Sequence, residues 1–105
     1  TAIIGTTDIA AVAAIHAVRD TGRAVPEDCS VIGFDDLPEA SYVLPRLTTV
    51  AQPIREVALE ATRRLEERLL DRQQGLDRRP VTRVRLPVRL VERESTGRVP
   101  ENHRR

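Results

Sequence analysis

A chain of 105 residues has room for one small core, able to bury roughly 60 to 65 % of its unfolded surface, and not for two independent ones. With 17 basic against 16 acidic residues it carries almost no net charge and no dense basic block, which argues against a segment that grips nucleic acid directly. The single cysteine, Cys29, excludes an internal disulfide and fits a reducing compartment; no apolar run approaches a membrane span and nothing at the amino end reads as a signal peptide, so a cytoplasmic location is expected.

Residues Thr1 to Gly5 read as a short strand that begins with no lead-in, which suggests a piece of something longer. Thr6-Thr7-Asp8 supplies capping groups for a helix from about Asp8 to Thr21, with Asp8 as the expected cap and Gly22 as the left-handed stop. That helix is apolar nearly all round, and coverage on more than one side is expected. Val31-Ile32-Gly33-Phe34 then runs straight into Asp35-Asp36, the pattern of a strand buried on both faces. Strand, helix and strand make a βαβ unit, with both strand ends on one edge. Leu37 to Arg46 is irregular, and Leu47 to Val50 is a second short extended piece.

Pro53 suits the first turn of a helix, and Ile54, Val57, Ala58, Ala61, Leu65 and Leu69 recur at three- and four-residue steps opposite a charged face. This predicts a helix to about Gln74. Val81 to Val91 alternates apolar and arginine positions as a half-exposed strand, interrupted by Pro87. Glu92 to Arg105 is charged and is expected to fray, leaving residues 1–96 as the domain and 97–105 as a flexible tail.

Neither a metal cluster nor a nucleophile constellation is visible: His16 lies within the first helix and His103 in the tail, away from Cys29. No cofactor, metal or catalytic residue is expected. Asp35, at a strand's carboxyl end, either accepts hydrogen bonds from ligand hydroxyls or merely shapes a turn before Pro38. Thr7 and Gln52 carry the same two readings, ligand contact or backbone cap.

Four blocks carry a further signal: Thr6 to Arg19 (TTDIAAVAAIHAVR), Val25 to Pro38 (VPEDCSVIGFDDLP), Leu47 to Pro53 (LTTVAQP) and Leu86 to Thr96 (LPVRLVEREST). In this order and at these separations they resemble the carboxyl-terminal part of lactose-repressor/galactose-repressor family regulators. The resemblance implies an α/β fold: a Rossmann-like βαβ fragment of a periplasmic-binding-protein-like core, with a parallel sheet, flanking helices, a long crossover helix and a returning strand. It further implies a cytoplasmic sensor of a sugar or related small molecule, not an enzyme, whose operator DNA is met only through a helix-turn-helix headpiece outside this chain.

On the matching positions, Asp35 falls where family members hold effector hydroxyls and Gln52 near the crossover between subdomains. Thr7 stands where many members have asparagine, and Asp8 matches the aspartate that follows. Ile9, Val12, Ala13, His16 and Tyr42 fall in the region that forms the homodimer. The resemblance places the long helix in a second subdomain, so its apolar stripe lacks a sheet to pack on, and the isolated chain is expected to dimerise, swap or fold poorly. Two rivals remain at this point: a sugar-binding protein serving transport, which shares the core fold, and a dimerisation module with no ligand of its own.

Overall fold

The computed structural model describes residues 2–76, 80 and 82–99. The chain divides into two compact units, Thr1–Gln52 with Val88–Arg105, and Pro53–Pro87. The first holds one four-stranded sheet in the order β1 (Ala2–Ile4), β2 (Ser30–Asp35), β3 (Thr48–Ala51), β4 (Arg89–Val91). β1, β2 and β3 are mutually parallel, and β4 closes the other edge antiparallel to β3. The expected βαβ unit and the returning strand are therefore both present.

Between β1 and β2 runs α1 (Asp8–Asp20), one residue shorter than the sequence pattern indicates, with Gly22 at φ 77° just beyond it. Ala11 and Ile15 are buried against Val25, Val31, Ala40 and Leu47, and Val12, Ala14, Val18 and Val43 pack around them. Close approach is enforced by Gly5, where a Cβ would come within 2.7 Å of the Ala11 backbone. The remaining face of α1 is open, Ile9 being 73 % exposed, so coverage on several sides is not what the described residues provide.

β2 is likewise covered on one face only: Val31 and Gly33 are buried while Ile32 and Phe34 are half-buried. α1 is the only described α-helix in this unit, and one helix covers one face of a sheet. Cross-strand register puts Ile4 beside Ile32, and Phe34, Val50 and Leu90 in one row, on the uncovered side.

The charged segment after β4 is sewn into the sheet rather than frayed. Ser95, fully buried, donates its hydroxyl to the Val31 carbonyl (2.6 Å) and accepts from the Thr48 amide (2.8 Å), while its own carbonyl accepts from the Val31 amide (2.8 Å). One serine thus joins β2 to β3 ahead of their direct pairing. Thr48 and Thr96 hydroxyls meet at 3.0 Å, and the Gly97 amide donates to Ser30 Oγ. Residues 100–105, the rest of the expected tail, lie outside the described residues.

In the second unit α2 spans Ile54–Gln73, a helix of roughly 30 Å at 1.5 Å per residue. None of its residues is buried. Arg64 Nη1 donates to the Thr82 carbonyl, so Thr82 lies beside the polar side of the helix, while Ile54, Leu65 and Leu69 are left open as expected. The alternating pattern from 81 to 91 yields a strand only at Arg89–Val91, because β3 offers pairing partners only from Thr49 to Ala51; Val81 lies outside the described residues.

Candidate functional site: the carboxyl edge of the sheet

The three parallel strands end together, and each end carries a side chain singled out from the sequence. Thr7 follows β1, Asp35 is the last residue of β2, and Gln52 follows β3 directly. In sheets of this kind polar ligands are met outside these strand ends.

Asp35 and Gln52 come together: Gln52 Nε2 donates to Asp35 Oδ1 at 2.6 Å, and both side chains are half-buried. Among the described residues Asp35 Oδ2 and the Gln52 carboxamide oxygen have no hydrogen-bond partner. The pair therefore presents a carboxylate acceptor and an amide acceptor to adjacent hydroxyl donors. Asp35 holds this position with φ 123° and Asp36 follows with φ 61°, two consecutive non-glycine residues with positive φ.

Thr7, not Asp8, caps α1, its Oγ1 accepting from the Ala10 amide at 3.2 Å. Its hydroxyl proton stays available as a donor, so capping and ligand contact are compatible. Asp8 is instead a buried tie among three segments, only 1 % exposed. Its Oδ1 accepts from the Thr49 hydroxyl at 2.5 Å and its Oδ2 from the Leu37 amide at 2.7 Å. Glycine at 33 leaves the room for it, since a Cβ there would lie 2.3 Å from Asp8 Oδ1 and 2.9 Å from Leu47 Cδ2.

A second tie, which the sequence pattern assigned to a fraying segment, comes from Arg93. Its Nη2 donates to Asp36 Oδ1 (2.7 Å), its Nη1 to the Leu47 carbonyl (2.8 Å), and its backbone amide to Thr48 Oγ1 (2.9 Å). The turn that follows Asp35 is therefore pinned at two successive residues, Asp36 by Arg93 and Leu37 by Asp8. In sequence the only signal for either pin is an Asp or Arg whose partner lies far along the chain, 29 residues for Asp8 and Leu37, 57 for Arg93 and Asp36.

The residues matched to a dimer contact are split by burial. Ile9, Ala13 and His16 share the exposed side of α1, and Val12 is half-buried at its margin. Ile9 and Val12 line a shallow apolar cleft with Asp8, Leu37 and Glu39. Tyr42, at the end of the 3-10 turn Pro38–Ser41, is 65 % exposed. The described residues contain no group of three or more His, Cys, Asp or Glu placed to hold a metal ion. No described helix is long and apolar enough to cross a membrane.

Three parallel strands with a βαβ unit and an antiparallel returning strand define an α/β domain, with Asp35 and Gln52 paired at adjacent strand ends. The chain belongs to the periplasmic binding protein-like domain family, which matches it over residues 1–96. Its relatives are LacI-type regulators, in agreement with the resemblance carried by the four sequence blocks. HTH-type transcriptional regulator DegA of Bacillus subtilis (strain 168) is 43 % identical over 97 residues, covering 92 % of this chain and 27 % of that protein. The lac repressor dimer bound to operator and the anti-inducer ONPF is 34 % identical with a TM-score of 0.72, over 91 % of this chain and 32 % of that one. The transcriptional regulator CelR in complex with cellobiose is 37 % identical with a TM-score of 0.76, over 90 % of this chain and 27 % of that one. The chain thus spans about a third or less of the proteins it resembles, a fragment of their effector-binding core.

Proposed function

We propose that this chain is part of the effector-binding and dimerisation core of a ligand-responsive transcriptional regulator, cytoplasmic and without enzymatic activity or cofactor. The carrying observation is the Asp35–Gln52 pair at the carboxyl ends of adjacent parallel strands, with two acceptor oxygens free for neighbouring hydroxyls. That chemistry suits a sugar or a similar polyol. Thr7, on the next strand end, supplies a hydroxyl donor. The named relatives favour a regulator over a transport protein, since they are transcription regulators and one is bound to operator DNA.

Two copies associate through the open side of α1, where Ile9 and Ala13, with Val12 at their edge, present apolar and small groups beside His16, and through Tyr42, which follows the 3-10 turn that contacts α1. Dimerisation sets the spacing of two helix-turn-helix headpieces to two operator half-sites, and effector binding shifts that spacing through its differential affinity for two conformations. A thermal-shift screen of the complete protein against pentoses, hexoses and disaccharides tests the ligand class. At least one sugar should raise the melting temperature in a concentration-dependent way. A complete protein that responds to no sugar, while responding to another class of metabolite, would overturn the polyol reading. Ala13→Glu in the same protein should halve the solution mass measured by light scattering.

A further inference from the structure

We infer that Arg93 is a positioning residue for the candidate pocket: by gripping Asp36 it holds the reversal at Asp35–Asp36 and so aims the Asp35 carboxylate at Gln52. The inference rests on the reading of Asp35 and Gln52 as effector contacts. Its structural basis is separate from that reading.

Positive φ at two consecutive aspartates is a conformation that L side chains adopt reluctantly, and it persists only where surrounding contacts fix it. Among the described residues the Asp35 carboxylate has one hydrogen-bond partner, Gln52, which is itself at a strand end and does not hold the backbone of Asp36. Asp36 is held by a guanidinium whose other arm is anchored on the Leu47 carbonyl and whose backbone is anchored on Thr48. Both partners of the ion pair are largely covered, with 18 % and 23 % of the Arg93 and Asp36 side chains exposed, so water screens it little. A planar fork bonding a carbonyl and a carboxylate at once is a task for arginine; lysine, a single point charge, does not reproduce it. The returning segment of the chain is thereby coupled to the strand end that faces the ligand.

The test reads the Gln52 side-chain amide by NMR in the complete protein, assigned by its disappearance in Gln52→Ala. In the natural protein its two Nε2 protons should be widely separated, as in a fixed, hydrogen-bonded amide. Arg93→Met should collapse them toward the position of a solvated glutamine while the Val50 and Thr49 amides of the ladder stay protected from exchange. Asp36→Gly in the Arg93→Met background should restore the separation, because glycine takes φ 61° unaided. An unchanged Gln52 signal in Arg93→Met overturns the inference. So does a loss of ladder protection that Asp36→Gly fails to repair, which would make Arg93 a general stabiliser only. Titrating the natural protein with the sugar panel decides the underlying reading separately: no shift of Gln52 or Asp35 by any sugar removes the effector assignment and leaves the Arg93 result intact.

Discussion

Replacing Asp8 distinguishes a helix cap from a tie between segments, and the magnitudes differ enough to decide. Asp8→Ala removes an acceptor 1 % exposed and orphans two donors, the Leu37 amide and the Thr49 hydroxyl. Each orphaned buried group costs about 1 to 3 kcal/mol, and loss of the negative charge in the first turn adds about 0.3 to 1 kcal/mol. A total near 4 kcal/mol is expected, a large part of the stability of a small domain. With a urea m-value of about 1.5 kcal/mol/M, the midpoint should fall by roughly 2.5 M. Asp8→Asn keeps one acceptor for Leu37 and turns its NH2 to Thr49, whose hydroxyl can accept, so a loss of about 1 to 2 kcal/mol is expected. A cap would behave differently, since asparagine caps as well as aspartate does, and Thr7→Ala would then be silent instead of costing about 1 kcal/mol. Urea unfolding of the complete protein, followed by circular dichroism, measures all three variants. Asp8→Ala within about 1 kcal/mol of the natural protein, or Asp8→Asn equal to it, would refute the tie.

Three further outcomes are expected. Gly33→Ala should lose about 3 kcal/mol by urea unfolding, because its methyl would press on Asp8 Oδ1, which the Thr49 hydroxyl holds in place. Ser95→Ala leaves the Val31 carbonyl and Thr48 amide without their shared hydroxyl; a loss of about 2 to 4 kcal/mol and faster hydrogen exchange at Thr48 are expected. On α2, hydrogen bonds from Arg63 and then Arg64 hold the Glu60 carboxyl at about 2, below its ordinary 4.5. A lowered folded-state value means that its contribution is complete above pH 4.5 and lost as pH falls toward 2. Acid loss of helical ellipticity in that window should be larger in the natural protein than in Glu60→Gln, and smaller in high salt.

Elements whose evidence is local were legible in the sequence. α1 and α2 announce themselves by apolar spacing and by Gly22, Pro53 and Gly75 at or near their ends, and their observed limits, Asp8–Asp20 and Ile54–Gln73, fall within a residue or two of the pattern. Asp35 and Gln52 were legible because a parallel strand's carboxyl end is fixed by where its apolar run stops. The ties were not. Asp8 beside a threonine has the local look of a cap, and only the fold shows that Thr49 and Leu37 converge on it while Gly33 makes room. Arg93 and Ser95 sit in a charged, helix-poor run whose partners are 57 and 64 residues away, so composition alone reads as a loose end. The alternation from 81 to 91 misleads for the converse reason: a strand exists only where a neighbour offers its edge, and β3 offers it for three residues.

The central claim is that Asp35 and Gln52 form the hydroxyl-binding end of an effector pocket. Isothermal titration of the complete protein with the sugar giving the largest thermal shift, set beside Asp35→Asn, tests it most directly. Asparagine keeps the shape and the carbonyl but removes the charge, and one charged hydrogen bond to a ligand hydroxyl is worth about 1.5 to 3 kcal/mol. Binding at least tenfold weaker in Asp35→Asn, with an unchanged urea midpoint, is the predicted result. Equal affinity in the two proteins would contradict the account and leave Asp35 as a turn residue.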